Sequence, residues 1–446
     1  MARKPVTTRR GRFVKLAGMT ASVAGQYAGQ RARRLFGRED DEAARSEHYT
    51  RMAGQIADTL GELKGAVMKV GQIASQTQDF LPKEFSDALQ KLQKEAPPMP
   101  FEVIVEQIET ELGKTIGEAF EYLQETPYAA ASIGQVHRAR LQSGEDVIVK
   151  VQYPGVDESC DSDLRQLRTA LRLGGLLKMP KESVDQLFGE IRERLQEELD
   201  YENEARNLRQ FREFHADDAK VIIPAVIDSH STRRILTLEL VEGDHISEVT
   251  ADRYDQATLN DIGTRIFHTM ADQLFRFHAI HGDPHAGNFA FRPDGTLIMY
   301  DFGCVKKLKP AIVEAYRKAL IAALNEDYEA LDRHLIDLGA RVGSQPAVDE
   351  DYYAMWRDIL IKPFDTNAPY DFAQSEIHKD VAAKTTTVFK YLDYFKPPVE
   401  SIFIDRMIAG HYWMMKRLGV QAAFRPELEA YLHPKRRKAR SATESG

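Results

Sequence analysis

The segment His281-Gly282-Asp283-Pro284-His285-Ala286-Gly287-Asn288 sets a carboxylate five residues ahead of a carboxamide, and Asp301-Phe302-Gly303 adds a second carboxylate soon after. These are hard oxygen donors of the kind Mg2+ prefers. Upstream, Val147-Ile148-Val149-Lys150 carries a lysine in a β-branched run. Phosphoryl transfer asks for just such groups: metal ions held on the phosphates, a carboxylate beside the nucleophile, and a cation on the phosphates. The expected roles are Asp283 as base or water-orienting group, Asn288 and Asp301 as ligands of Mg2+, and Lys150 as the phosphate cation, with ATP as substrate. Acids at turn-rich helix caps would explain the same residues one at a time, but not their common order and spacing.

That order matches the signature of protein kinases, in which a lysine-bearing strand, an HxDxxxxN loop and an Asp-Phe-Gly follow one another. Such a lysine needs a carboxylate to position it. Glu204, in Leu199-Asp200-Tyr201-Glu202-Asn203-Glu204, is the candidate, although the 54-residue gap from Lys150 requires a helical insertion. Glu198, Asp200, Glu202 and Glu204 also read as one solvated acidic helix face. Before Lys150, where kinases carry a glycine-rich loop, stands Ala129-Ala130-Ala131-Ser132-Ile133-Gly134-Gln135-Val136. With one glycine left, backbone approach to phosphate is restricted, and Ser132 offers a hydroxyl in its place. These eight residues, Lys150 and Glu239 form the expected nucleotide-binding set. Gly282 stands where kinases have an arginine, and no Ala-Pro-Glu follows Gly303, so a peptide-substrate platform is not visible. His278, His281 and His285 around Asp283 allow a zinc reading, but the nucleotide reading already accounts for His281 and Asp283.

The elements that must carry these residues read as an α+β, bilobed arrangement. A helical pattern runs from about Ser46 to Gln93, with Met52, Ile56, Leu60, Leu63, Val67, Val70 and Ile73 recurring every three or four positions. Glu95-Ala96-Pro97-Pro98-Met99-Pro100 interrupts it. Strands are expected at Asp146–Val151, Val221–Ile227 and Arg234–Glu239, with helices from about Ser159 to Leu177 and Lys181 to His215. Beyond Asp255 the pattern is helical except for short strands around 288–291 and 297–300. The expected domains are a basic, flexible segment 1–45, a helical extension 46–115, a mixed lobe 116–243, a helical lobe 244–433 and a disordered basic tail 434–446.

Composition excludes little: 43% apolar and 29% charged residues are ordinary for a globular chain, and a net charge of −8 gives no pull toward nucleic acid. The two cysteines, Cys160 and Cys304, suit a reducing compartment, with Cys304 expected as a buried thiol. Residues 1–38 carry ten Lys or Arg, and the first acid is Glu39. A twin-arginine signal, a transit peptide, a basic helix on an anionic membrane surface and a locally packed helix all suit this segment. No stretch is apolar for the roughly 20 residues that span a bilayer.

Four motifs together resemble the UbiB/AarF family of atypical kinases. They are Lys69-Val70-Gly71-Gln72 (KxGQ), the alanine-rich loop, Glu198-Leu199-Asp200 (ExD) and the His281–Asn288 loop, with the resemblance covering about residues 46–430. The resemblance implies a protein-kinase-like fold with an N-terminal helical extension carrying KxGQ. Its helix would cover the nucleotide cleft, where Lys69 and Gln72 would meet Glu198 and Asp200, and Lys150 would pair with Glu204. It further implies a Mg-ATP-dependent ATPase or small-molecule kinase supporting ubiquinone biosynthesis or lipid homeostasis, in peripheral contact with membrane lipid or quinone precursors and with quinone-biosynthesis proteins. The implied location is cytoplasmic, on the inner membrane, or mitochondrial in a eukaryote. A nucleotide-dependent regulatory or scaffold pseudokinase of a quinone-biosynthesis complex is the alternative. Ala286 departs from the family's usual proline, and Arg406-Met407-Ile408-Ala409-Gly410 resembles the family's final helical elements.

Overall fold

The computed structural model of the chain describes residues 9–35, 98–130, 133–173 and 181–434, with isolated positions between 50 and 87. Contacts divide the chain into two units, one of Met1–Arg209 with Pro224–Leu240, the other of Gln210–Ile223 with Val241–Gly446. The fold is α+β, as expected.

The first unit opens with helix α1 (Arg9–Leu35), followed by α2 (Phe101–Leu112) and the single turn α3 (Ile116–Ala119). Strands β1 (Phe120–Leu123), β2 (Ala129–Ala130), β3 (Gly134–Leu141) and β4 (Asp146–Gln152) come next. They lead into α4 (Val156–Leu173), α5 (Lys181–Glu198) and α6 (Tyr201–Phe214). Two strands then part company: β5 (Val221–Ile222) belongs to the second unit and β6 (Ile235–Glu239) to the first. An antiparallel sheet runs β1-β3-β4-β6, with β2 paired on β3. On β4, Val147, Val149 and Val151 are fully buried, while Ile148 and Lys150 face the other side. The two-residue period of a strand therefore separates core from chemistry.

Helix α1 is basic but not peripheral. Leu16, Met19 and Val23 form a buried stripe in the core shared with Leu164, Leu167 and Leu171 of α4. The stripe begins with a charge, since Arg12 is 2% exposed and donates through Nε at 2.9 Å to Asp163 of α4, itself 1% exposed. The apolar face that a membrane-surface helix would present outward is thus buried in the protein.

The second unit continues with α7 (Gln256–Phe275), β7 (Ala279–His281), β8 (Phe289–Phe291), β9 (Leu297–Met299) and β10 (Val305–Lys307). Helices α8 (Pro310–Leu324), α9 (Tyr328–Leu338) and α10 (Glu350–Leu360) follow. The chain closes through β11 (Tyr370–Asp371), α11 (Ile377–Val388), α12 (Val399–Leu418), β12 (Gln421–Ala422) and α13 (Arg425–Leu432). Strands β5, β9 and β8 make a small mixed sheet, and β7 pairs with β10. Strands β7, β10, β11 and β12 are not among the strands expected from the sequence. The helix expected from Lys181 to His215 is two helices, broken where Asp200 caps α6 by accepting the Asn203 N–H at 2.9 Å. Only the first two residues of Val221–Ile227 form a strand. Among the described residues no helix is long and apolar enough to cross a membrane.

Candidate active site

Lys150 leaves β4 opposite Val136 of β3 and Leu236 of β6. Its ammonium donates to both carboxylate oxygens of Glu204, at 3.0 and 2.9 Å, and lies 5.0 Å from the centre of the buried Tyr201 ring. Helices α4 and α5 lie between the partners in sequence. Within the acidic cluster, Glu202 is exposed, but the Glu204 side chain is only 3% exposed. A carboxylate that deep persists because a cation meets it, so the solvated-face reading does not hold for Glu204.

The loop from His281 to Asn288 is organised from within. The Asn288 amide nitrogen donates to the Asp283 carbonyl at 2.9 Å and approaches its carboxylate Oδ2 at 3.5 Å. His281 is fully buried. Its Nδ1 accepts the Asp283 N–H at 3.2 Å, its Nε2 donates to the Asp301 carbonyl, and its own N–H is taken by Gln273 at 2.9 Å. Burial holds His281 below the ordinary histidine pKa, which keeps it in the neutral Nε2–H form these bonds require. The ring of Phe302 packs 4.7 Å from Phe211 and 5.1 Å from His281. One buried imidazole therefore ties the two carboxylate-bearing segments together. Asp283 Oδ1 receives the Arg406 guanidinium at 2.9 Å, a partner to which the sequence reading gave no role.

The donor set fits magnesium. With the Asn288 nitrogen committed to Asp283, its amide oxygen is left as the acceptor, and Asp301 Oδ1 is oriented by the Gly303 N–H at 3.0 Å. These are hard oxygens. Both ring nitrogens of His281 are committed, to the Asp283 N–H and the Asp301 carbonyl, and are not available to a zinc ion. Cys304 is half-buried rather than buried, and its carbonyl accepts the Gly282 N–H at 2.7 Å.

The other expected residues have these surroundings. Gln135 is buried, with its amide closed on the Met99 backbone at 2.9 and 3.3 Å. Ile133 is buried, Val136 half-buried, and Ala129 and Ala130 pair in β2 with Val136 and Gln135. The remaining glycine of the loop, Gly134, serves strand pairing, since a Cβ there would lie 2.2 Å from the Val151 carbonyl oxygen. Glu239 is exposed at the end of β6, accepting the Ala225 N–H at 3.2 Å. Asp200 is spent as the cap of α6, and Glu198 is half-buried at the end of α5. Lys69, Gln72, Ala131 and Ser132 lie outside the described residues.

The family model for the ABC1 atypical kinase-like domain matches residues 91–335, more than half of the chain. The chain belongs to this family. The probable serine/threonine-protein kinase abkA of Dictyostelium discoideum is 29% identical over 440 residues, covering 92% of this chain and 76% of abkA. Atypical kinase coq-8, mitochondrial, of Caenorhabditis elegans is 29% identical over 423 residues, covering 92% of this chain. This chain spans only 55% of that protein's length. Among solved structures, Rv3197 of Mycobacterium tuberculosis in complex with erythromycin is similar with a TM-score of 0.62 and 28% identity, over 89% of this chain and 99% of that one. The ABC1 match takes in β1–β10 and hence both segments described above.

Proposed function

We propose that this ABC1-family chain binds Mg-ATP and releases or transfers its terminal phosphoryl group to water or a small or lipid acceptor, in support of isoprenoid-quinone biosynthesis or lipid homeostasis. The observation that carries the reading is the network in which His281 holds the Asp283 N–H and the Asp301 carbonyl while Asn288 closes on Asp283. Such a constellation fixes oxygen ligands before substrate arrives, and phosphoryl transfer is catalysed mainly by positioning and electrostatics. ATP supplies the phosphoryl group and bound magnesium the neutralising charge. Asp283 orients the attacking hydroxyl or water, Asn288 and Asp301 offer oxygens to the metal, and Lys150, held by Glu204, offers its ammonium to the phosphates. Gly282, standing where protein kinases carry an arginine, favours a non-protein acceptor, and Lys69 and Gln72 are proposed as regulatory residues.

The test is phosphate release by the purified chain with Mg-ATP, with and without lipid vesicles, for wild type and Asp283→Asn. Turnover in wild type and at least about a hundredfold loss in the variant are expected. ATP binding without turnover in any condition would instead favour a nucleotide-dependent scaffold.

A further inference from the structure

The loop from His281 to Asn288 contains no lysine or arginine, yet its reactive carboxylate is met by a cation from a distant helix. Gly282 explains the first half of this. A Cβ at that position would stand 2.7 Å from Cys304 Sγ and 3.2 Å from the Cys304 carbonyl, so the β7–β10 pairing leaves no room for an arginine side chain there. Helix α12 supplies what the loop lacks. Phe403, Arg406 and Gly410 recur at i, i+3 and i+7 and so share one helix face. That face meets three consecutive loop residues. Phe403 Cδ1 lies 3.4 Å from the position a Gly282 Cβ would take, Arg406 Nη2 lies 2.9 Å from Asp283 Oδ1, and a Cβ on Gly410 would fall 2.4, 2.6 and 2.7 Å from Pro284 Cγ, Cβ and O. Glycine at 410 is what allows the helix to approach this closely.

The energetics argue against a role in stability. Arg406 and Asp283 are 34% and 43% exposed, and an ion pair so open to solvent contributes at most about 1 kcal/mol. Orientation is another matter. A carboxylate with one oxygen on a guanidinium and the other beside the Asn288 amide has its rotamer set from both sides.

We infer that Arg406 is a positioning residue for Asp283, delivered by the Phe403/Arg406/Gly410 face of α12 in place of a cation within the loop. The inference rests on the Mg-ATP reading above. Its test is steady-state phosphate release from Mg-ATP by wild type, Arg406→Gln, Arg406→Lys, Arg406→Ala and Gly410→Ala of the full chain, with thermal unfolding of each. Arg406→Gln is expected to lower kcat about a hundredfold while KM for ATP moves less than about threefold and the melting temperature is unchanged. Arg406→Lys keeps a point charge and falls between. Free guanidinium should restore part of the turnover of Arg406→Ala but not of Asp283→Asn. Gly410→Ala, with the arginine intact, should lower kcat by displacing the helix, and adding Arg406→Gln to it should cost little more, because the two substitutions act on one contact. A wild type that turns over ATP alongside an Arg406→Gln of equal kcat overturns the inference and leaves the Mg-ATP reading intact. A wild type without turnover overturns both.

Discussion

Replacing Arg12 with methionine isolates the charge at the head of the α1 stripe, because methionine keeps most of the aliphatic stem. In the native chain the guanidinium bonds Asp163 Oδ2 through Nε at 2.9 Å and Nη2 at 2.5 Å, and the Ser159 hydroxyl adds a third bond at 3.0 Å. Removing the cation leaves a carboxylate that is 1% exposed with a serine for company. Breaking a buried pair in this way costs about 3–5 kcal/mol, since an uncompensated charge remains. The pair itself is worth much less. Asp163 Oδ1 has no hydrogen-bond partner among the described residues, so part of the desolvation cost is not recovered. Arg12→Met with Asp163→Leu should therefore return to within about 1.5 kcal/mol of wild type, and replacing both partners by apolar groups can even stabilise. Urea denaturation of the full chain, following the first unit by circular dichroism, measures all four members of the cycle. If Arg12→Met lies within about 0.5 kcal/mol of wild type, an effect typical of surface substitutions, the carboxylate is solvated and α1 is not seated on α4 as described.

Other consequences are local. Glu204→Gln removes the charge that holds Lys150 between two carboxylate oxygens 2.9 and 3.0 Å away, and phosphate release should fall at least about tenfold with the fold retained by circular dichroism; unchanged turnover would remove the pair from the proposed chemistry. Gly134→Ala pushes a methyl onto the Val151 carbonyl, a backbone atom that cannot step aside, so a loss of about 2 kcal/mol or more is expected in denaturant titrations, whereas Ala130→Gly should instead change the ratio of ATP to ADP affinity measured by calorimetry. His411 is buried, its Nδ1 donating to the Met407 carbonyl at 2.6 Å, and burial lowers its pKa from 6.5 to about 4. The unfolded chain binds that proton first, so the His411 contribution is complete above pH 6.5 and is lost as the pH falls toward 4. Measured at pH 7.5 and pH 4, the stability difference between wild type and His411→Gln should move in favour of the variant by about 3 kcal/mol; a difference independent of pH would mean that the fold leaves the proton affinity of His411 unchanged.

Linear order and local pattern made much of the frame legible. Asp283, Asn288 and Asp301 lie within one stretch of chain, and the β-branched run that marks β4 also fixes which face Lys150 occupies. The pairing of Lys150 with Glu204 was reachable only through a kinase-like pattern, because two helices intervene and nothing in the run from Glu198 to Glu204 says which carboxylate turns inward. The structure answers through the cap: Asp200 starts α6, which places Tyr201, Glu204, Ala205 and Leu208 on its buried face and leaves Glu202 outside. The packing of the alanine-rich loop was not legible for a different reason. Gly134 is demanded by the close pass of β4 and Gln135 closes on the Met99 backbone, and both demands come from chain distant in sequence.

Arg406 marks the same limit at the site itself. Its place three residues after Phe403 and four before Gly410 puts the three on one face of α12, but a helix face acquires meaning only from what it touches. The touching surface here is a loop more than a hundred residues earlier, which carries no cation of its own. A short polar loop can encode the identity of its reactive groups. Their orientation is set by whichever element packs against it, and in this chain the small residue that lets that element in, Gly410 against Pro284, matters as much as the charged one it delivers.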